Sequence, residues 1–329
     1  MIKKTKVMFM GAGIFAVPIL DAIAKSDSLE LAGVITQPDK AAGRKRILTP
    51  SPLGKWADAN GIACKRVVSV NTPEFLDEVQ VLAPDIIVVV SFGQILKPAL
   101  LEAAPYGCLN VHASLLPKYR GASPIVSAVL NGDTETGVAF MQMEAGLDTG
   151  PVYETHCCKI SPDINAAELE QRLSCLAGEK IENCILRIID RSLTPVPQSS
   201  EGIIVSSKIR KSNGSICWQE EAPVLARKIR AYHPWPSMTF CADLKKGRIK
   251  VKVTKAGFAN CNIPDAVPGQ VTACANNQLQ VACGRGALMI ERLIPEGKKE
   301  MTVADFLNGS RISVGDILLN GPDISPEQK

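Results

Sequence analysis

The chain has 329 residues, 46% of them hydrophobic and 21% charged, with a formal net charge of +4. That length suggests two domains, each rich enough in apolar residues to bury its own core, and no apolar run approaches the roughly 18 residues of a spanning helix. Eleven scattered cysteines, odd in number and without C-x-x-C spacing, argue against a disulfide framework or a zinc site and for reduced thiols in the cytosol.

The first 25 residues read in two ways. A basic start, the apolar stretch Val7–Leu20 and Ala22-Ile23-Ala24 resemble a secretory leader. The same residues also read as a buried strand (Val7–Met10), a glycine turn (Gly11–Gly13) and a first helix, and the cysteine usage favours this second reading. Further strands are expected at Leu31–Thr36, Cys64–Val68, Asp85–Ser91, Gly107–Val111, Val138–Met143 and Val152–Ile160. Helical patterns separate most of them, the last opening at Asn165-Ala-Ala-Glu168, an N-cap residue followed three positions later by Glu. "DIIVVVS" is apolar without alternation, as a strand covered on both faces should be. This α/β alternation predicts an open, mostly parallel Rossmann-like sheet over residues 1–190, with ligands beyond the carboxyl ends of its strands.

"RSLTPVPQSSEG", rich in Pro and Ser, reads as a linker within 191–206. Beyond it, "RIKVKVTKA", "GQVTAC", "LQVACG" and "ALMIERL" are short strands separated by Gly and Asn, which predicts a small β-barrel over 207–329. "GPDISPEQK" at the end reads as a disordered tail. The part from Ser207 onward holds 18 Lys and Arg against 11 Asp and Glu, a net +7, leaving −3 in front. A basic rear half suits a polyanionic partner.

Four stretches could carry chemistry. Gly11-Ala12-Gly13-Ile14-Phe15-Ala16 fits the dinucleotide fingerprint and would suit an NAD-dependent dehydrogenase, but the second strand runs into Thr36-Gln37-Pro38-Asp39 without the supporting carboxylate. A tight strand-to-helix turn explains it better. "QPDKAAGRKRILTPSP" gathers Lys40, Arg44, Lys45 and Arg46 in a loop too irregular for an element, able to reach a phosphate backbone or simply solvated. In "NVHASLLPKYRGASP", Asn110 and His112 lie two apart on a strand and so share a face. An amide donor and an imidazole there can bind an oxyanion and move protons. "MEAGLDTGP" sets Asp148 between glycines, where a carboxylate could orient His112 or merely cap a turn. His156 and His233, the latter in "AYHPWPS" as a packed corner, take structural assignments. There is no H-E-x-x-H, metal-spaced cluster or G-x-S-x-G.

Together these residues resemble the methionyl-tRNA formyltransferase family along nearly the whole chain. "NVHASLLPKYRGASPI" and "LDTG" look like the signature of folate-dependent formyltransferases in general. The resemblance implies catalytic roles for Asn110, His112 and Asp148, a folate-contacting segment at Ser114, Leu115, Leu116 and Pro117, and an acceptor-stem loop at Lys40, Arg44, Lys45 and Arg46 with Arg44 its important arginine. It further implies an OB-like C-terminal barrel that binds tRNA, 10-formyltetrahydrofolate as co-substrate without metal, methionyl initiator tRNA as partner, and a cytoplasmic, monomeric enzyme of translation initiation. Sugar-nucleotide N-formyltransferases share the signature and even a Pro-Trp-Pro motif, so they are the nearest alternative. A non-catalytic RNA-binding protein would explain the charge but not the Asn, His and Asp. The chain departs from the family at Gly11-Ala12-Gly13, usually Gly-Thr-Pro, and at Ile14, where Asp is common near the methionine pocket.

Overall fold

The computed structural model describes residues 3–42, 46–244, 247–260, 263, 265–275, 278–310 and 312–322. Two compact units emerge: Met1–Pro124, Glu135–Lys159 and Glu170–Ser206 form the first, and Ile125–Thr134, Ile160–Leu169 and Ser207–Lys329 the second. Of the expected disordered tail, 323–329 lie outside the described residues.

The first unit is built on β1 (Thr5–Gly11), whose Val7–Met10 are fully buried, and α1 (Ala16–Lys25) beyond the glycine turn. A Cβ at Gly11 would sit 2.9 Å from the Phe9 ring and 3.1 Å from the Val90 carbonyl, so close packing of strand and helix accounts for the turn. Next come β2 (Leu29–Thr36), β3 (Lys40–Ala42), β4 (Ile47–Thr49), α2 (Pro52–Ala59), β5 (Cys64–Arg66), α3 (Pro73–Leu82), β6 (Ile86–Val90) and α4 (Pro98–Leu101). Both α2 and α3 begin with a side-chain cap and a proline: Ser51 accepts from the Gly54 N–H and Thr72 from the Phe75 N–H, the arrangement that satisfies orphan donors at a helix start. The stretch expected as an irregular loop contains an antiparallel ribbon instead, β3 pairing with β4 from Lys40↔Thr49 to Ala42↔Ile47. The β-branched Ile47 and Thr49 suit that pairing despite the basic residues between the strands.

After β7 (Cys108–His112), β8 (Arg120–Gly121) and α5 (Pro124–Asn131) the chain returns as β9 (Glu135–Gln142) and β10 (Val152–Lys159). The sheet order is β10-β9-β7-β6-β1-β2-β5. Its pairs are parallel from β5 through β7, and antiparallel where β9 and β10 extend it. The mostly parallel α/β reading holds. All five residues of β6 are buried, as its unalternating sequence requires. α6 (Ala166–Ile189) starts in a reciprocal capping box, the Asn165 amide oxygen accepting from the Glu168 N–H and the Glu168 carboxylate from the Asn165 N–H, both at 3.0 Å. The segment expected as a linker is tied down: Val196 exchanges two 2.8 Å bonds with Val152, and β11 (Val205–Ser206) pairs in parallel with β8.

In the second unit, α7 (Ala222–Ala231) precedes β12 (Met238–Leu244), β13 (Gly247–Ala259), β14 (Val271–Ala275), β15 (Gln278–Ala282), β16 (Ala287–Pro295), β17 (Met301–Thr302) and α8 (Val303–Ser310). The antiparallel order is β12-β13-β16-β15-β14. Leu319 bridges to Cys241 of β12 and Ile317 to Gln270 beside β14, so one segment spans both ends of the order and curls the sheet into a half-barrel of the OB type. Trp218, Phe240, Leu288 and Leu293 fill its core, with Val126 and Leu130 of α5 packed against it. Along β13 Val251 and Val253 are buried while Arg248, Lys250 and Lys252 are exposed, the period-2 pattern that sets cations on the outer face.

Candidate active site

Asn110 and His112 extend from the carboxyl end of β7, between β6 and β9 in the sheet. His112 is 6% exposed and Asn110 half-buried. Beyond them, Ser114 is fully buried and its hydroxyl donates to the Lys118 carbonyl, closing a turn that leaves Leu115, Leu116 and Pro117 half-buried. The Ser114 hydroxyl therefore holds the loop, and the three apolar residues are the ones presented. Gly137 of β9 allows Leu115 to lie close, since a Cβ there would stand 2.5 Å from Leu115 Cδ2.

Asp148 is the hub. Its Oδ1 accepts from Asn110 Nδ2 at 3.3 Å, its Oδ2 accepts from the Gly121 N–H at 2.7 Å, and Oδ2 also faces His112 Nδ1 at 3.7 Å. The other imidazole nitrogen, Nε2, lies 2.9 Å from the Tyr119 carbonyl oxygen. A carbonyl can only accept, so Nε2 carries the proton and Nδ1 holds the lone pair of the neutral ring. Asp148 thus does not fix the ring, as sequence reasoning expected; Tyr119 does, and Asp148 stands ready to face charge at Nδ1. Both loops are conformationally unusual. Asp148 has φ +53° and the buried Tyr119 φ +60°, left-handed conformations that few non-glycine residues adopt. Gly150 pins the Asp148 loop to the sheet: a Cβ would fall 1.9 Å from the Gln142 carbonyl oxygen.

Chemically, the cluster offers a donor and a base on one strand face. An amide nitrogen has two hydrogens, and with one committed to Asp148 the other is left for a developing oxyanion. His112 Nδ1 can take up a proton, becoming an imidazolium beside a carboxylate.

The remaining sequence candidates fall elsewhere. Lys40 is exposed on β3 and donates to the Gln37 side chain, and Arg46 is exposed at φ +48°; Arg44 and Lys45 lie outside the described residues. His156 is held within β10 by Glu154 at 3.1 Å and by an edge contact with Phe140. At the His233 corner the Ser237 N–H closes onto the Tyr232 carbonyl at 2.9 Å, while Trp235 is 57% exposed rather than packed. A cavity of about 550 Å³ lined by Tyr106, Gln142, Tyr153, Ile188 and Arg191 shares no lining residue with the cluster. Among the described residues no three His, Cys, Asp or Glu side chains gather as metal ligands would, and no helix is long and apolar enough to cross a membrane. Sequence reasoning missed the Tyr119 carbonyl, the Gly121 N–H and Gln198, whose amide nitrogen donates to the Asp148 and Gly150 carbonyls at 2.8 Å each. A glutamine in a Pro- and Ser-rich run carries no local signal of such a role.

Comparison with known proteins covers both units. The family profile "Formyl transferase" matches residues 3–184 and "Formyl transferase, C-terminal domain" matches 208–311. The methionyl-tRNA formyltransferase of Myxococcus xanthus is 39% identical over 312 residues, 95% of this chain and 97% of that one. That of Methylococcus capsulatus is 39% identical over 94% of this chain and 98% of its own. Among solved structures, an N-formyltransferase from Helicobacter canadensis in complex with folinic acid and dTDP-3-aminofucose superposes with a TM-score of 0.61, covering 87% of this chain and 98% of that one. At 20% identity it is a likeness of fold.

Proposed function

The chain belongs to the formyl transferase family, and we propose that it transfers the formyl group of 10-formyltetrahydrofolate to the amino group of methionine esterified to initiator tRNA. The observation that carries this reading is the convergence of Asn110, His112 and Asp148, from positions 38 residues apart, on one point beyond the sheet. The near full-length identity to two methionyl-tRNA formyltransferases supports the acceptor.

In this proposal the second N–H of Asn110 donates to the oxyanion that forms as the amine adds to the formyl carbon, an interaction that exists only once the carbon is tetrahedral. His112 Nδ1 accepts the proton the attacking nitrogen sheds and returns it to the departing nitrogen of the folate as the old C–N bond breaks. Asp148 opposes the transient imidazolium and holds the Asn110 amide in place. The apolar, half-buried Leu115, Leu116 and Pro117 fit a flat, largely apolar ring system next to this centre. Ser114 contributes by closing their turn.

The first unit is the catalytic one in this reading. The second, with Arg248, Lys250 and Lys252 outward on β13, supplies salt-sensitive affinity for the tRNA backbone. The Lys40–Arg46 segment positions the acceptor end, and the enzyme acts as a monomer in the cytoplasm. The deciding assay offers 10-formyltetrahydrofolate with methionyl initiator tRNA, beside charged elongator tRNA and an amino-sugar nucleotide. Formylation of the initiator tRNA is expected; preferential formylation of the sugar would replace the acceptor with that of the sugar enzymes, and no transfer to any acceptor would overturn the reading.

A further inference from the structure

The four hydrogen-bonding positions of the Gln198 carboxamide are all filled. Its oxygen accepts from Arg120 Nε at 3.0 Å and from Arg120 Nη2 at 2.8 Å, and its nitrogen donates to the Asp148 and Gly150 carbonyl oxygens at 2.8 Å each. An amide has two acceptor positions and two donor hydrogens, so none is left over for solvent. The bracket therefore ties Arg120, in the short strand β8 beyond the His112 strand, to the backbone on either side of Thr149. The same two loops touch once more where the Gly121 N–H meets the Asp148 carboxylate at 2.7 Å.

Gln198 is itself anchored from both sides. Two residues earlier Val196 is paired to Val152, and six residues later the Ile204 carbonyl accepts from the Arg120 N–H at 3.0 Å. Ser206 completes the strap, its hydroxyl donating to the Arg120 carbonyl at 3.1 Å. Asp148 needs such support. It sits at φ +53° in a loop containing Gly146 and Gly150, a conformation an aspartate keeps only when its surroundings over-determine it. Asp148 must also present two carboxylate oxygens to three partners at once, so a small rotation of its backbone would disengage Asn110, His112 or both.

We propose that Gln198 is a positioning residue for formyl transfer: its carboxamide, oriented by Arg120, clamps the backbone of Asp148 so that the carboxylate engages Asn110 and His112 together. This deepens the role assigned to Asp148 above and rests on it. The strap is part of the active site's scaffold, and a carboxamide suits it because its oxygen can accept twice from a guanidinium while its nitrogen donates to two carbonyls.

Gln198→Glu tests this directly. The substitution keeps side-chain length and keeps two acceptors for Arg120, yet offers no N–H to the Asp148 and Gly150 carbonyls. Misplacement of a catalytic group on the order of 1 Å costs up to about 100-fold in rate, so kcat for formylation of methionyl initiator tRNA should fall about 10- to 100-fold. KM for the folate and for the tRNA should stay within about two-fold, because neither is contacted by Gln198 in this reading. Gln198→Met, uncharged and of similar length, gives the same readout if the charge itself disturbs folding. Both are then combined with Asp148→Asn. If Gln198 acts through Asp148, its substitution adds little in that background; a full, multiplicative loss there would show that it acts elsewhere and overturn the proposal. Wild-type kcat in a folded Gln198→Glu or Gln198→Met enzyme, with Asp148→Asn impaired, overturns the proposal alone. Wild-type kcat in Asp148→Asn overturns the reading of the site and the proposal with it. A merely structural role would show as a lowered Tm and a parallel rise in KM.

Discussion

Asp148→Asn is the sharpest probe of the cluster, because it changes charge while nearly preserving shape. The carboxylate lies 3.7 Å from His112 Nδ1, with His112 6% exposed. At an effective dielectric constant of about 20, opposite unit charges at that distance attract by about 4.5 kcal/mol, equivalent to about three decades in rate if fully expressed in the transition state. Desolvation of the imidazolium takes back part of this, so a fall in kcat of roughly 10²- to 10³-fold is expected. Stability should change less. The introduced amide can keep its oxygen toward the Gly121 N–H, and the Asn110 amide can rotate to offer its own oxygen to the new NH₂ group. The net hydrogen-bond loss is then about 1 kcal/mol. The assay is single-turnover transfer from 10-formyltetrahydrofolate to methionyl initiator tRNA with both substrates saturating, beside a thermal melt. A rate within about five-fold of wild type, in protein with wild-type Tm, would refute the electrostatic role of Asp148.

Other substitutions separate the remaining parts. Asn110→Ala removes an oxyanion donor and should lower kcat about 10²- to 10³-fold in steady-state kinetics; near-normal turnover in folded protein would take it out of the mechanism. Gly137→Ala forces a methyl to within 2.3 Å of the His156 carbonyl oxygen and 2.5 Å of Leu115. It should destabilise by about 1–3 kcal/mol and raise KM for the folate, read by denaturant titration and initial rates. Arg44→Ala should raise KM for the tRNA while leaving folate binding intact; equal damage to both would mean the segment supports the fold. Burial pushes the Cys108 and Cys283 thiols up to about 12. Each holds its proton more tightly folded than unfolded, so its contribution is full below about pH 8.5 and is lost as pH rises toward 12, at about 1.4 kcal/mol per pH unit and thiol. Cys283→Ala should flatten the alkaline fall of the denaturant midpoint by one thiol's share, and an unchanged slope would refute this.

Much of the first unit is legible because its signals are local. Val7–Met10 and Ile86–Val90 are unbroken apolar runs, and such runs of strand length, set among helical patterns, can be buried only in a sheet covered on both faces. Asn165 and Glu168 announce a helix start within four residues. Asn110 and His112 share a strand face by simple alternation, so their adjacency is readable, and the glycines around Asp148 mark a close approach. The tautomer of His112 is not readable. It depends on the Tyr119 carbonyl, and Tyr119 adopts a left-handed backbone conformation that its side chain gives no reason to expect. The β3–β4 ribbon escapes for a related cause, since Lys40–Ala42 has no apolar alternation to reveal a strand.

The segment 191–206 shows why composition misleads where bonds are long-range. Pro and Ser read as linker chemistry, yet proline also rigidifies. Pro195 and Pro197 flank Val196 and lack amide hydrogens, so Val196 holds the one N–H of that triplet, and it is the residue that pairs with Val152. The prolines limit the chain to extended conformations, which deliver Gln198 to carbonyls 48 and 50 residues away and to a guanidinium 78 residues away. No window of neighbouring residues contains that information, because the two carbonyls and the guanidinium belong to segments far apart in the chain and only the completed sheet brings them together. A segment that bonds to the backbone on either side of Thr149 is thus free to look like a tether, since its specificity lies in one amide and in the stiffness of the residues beside it.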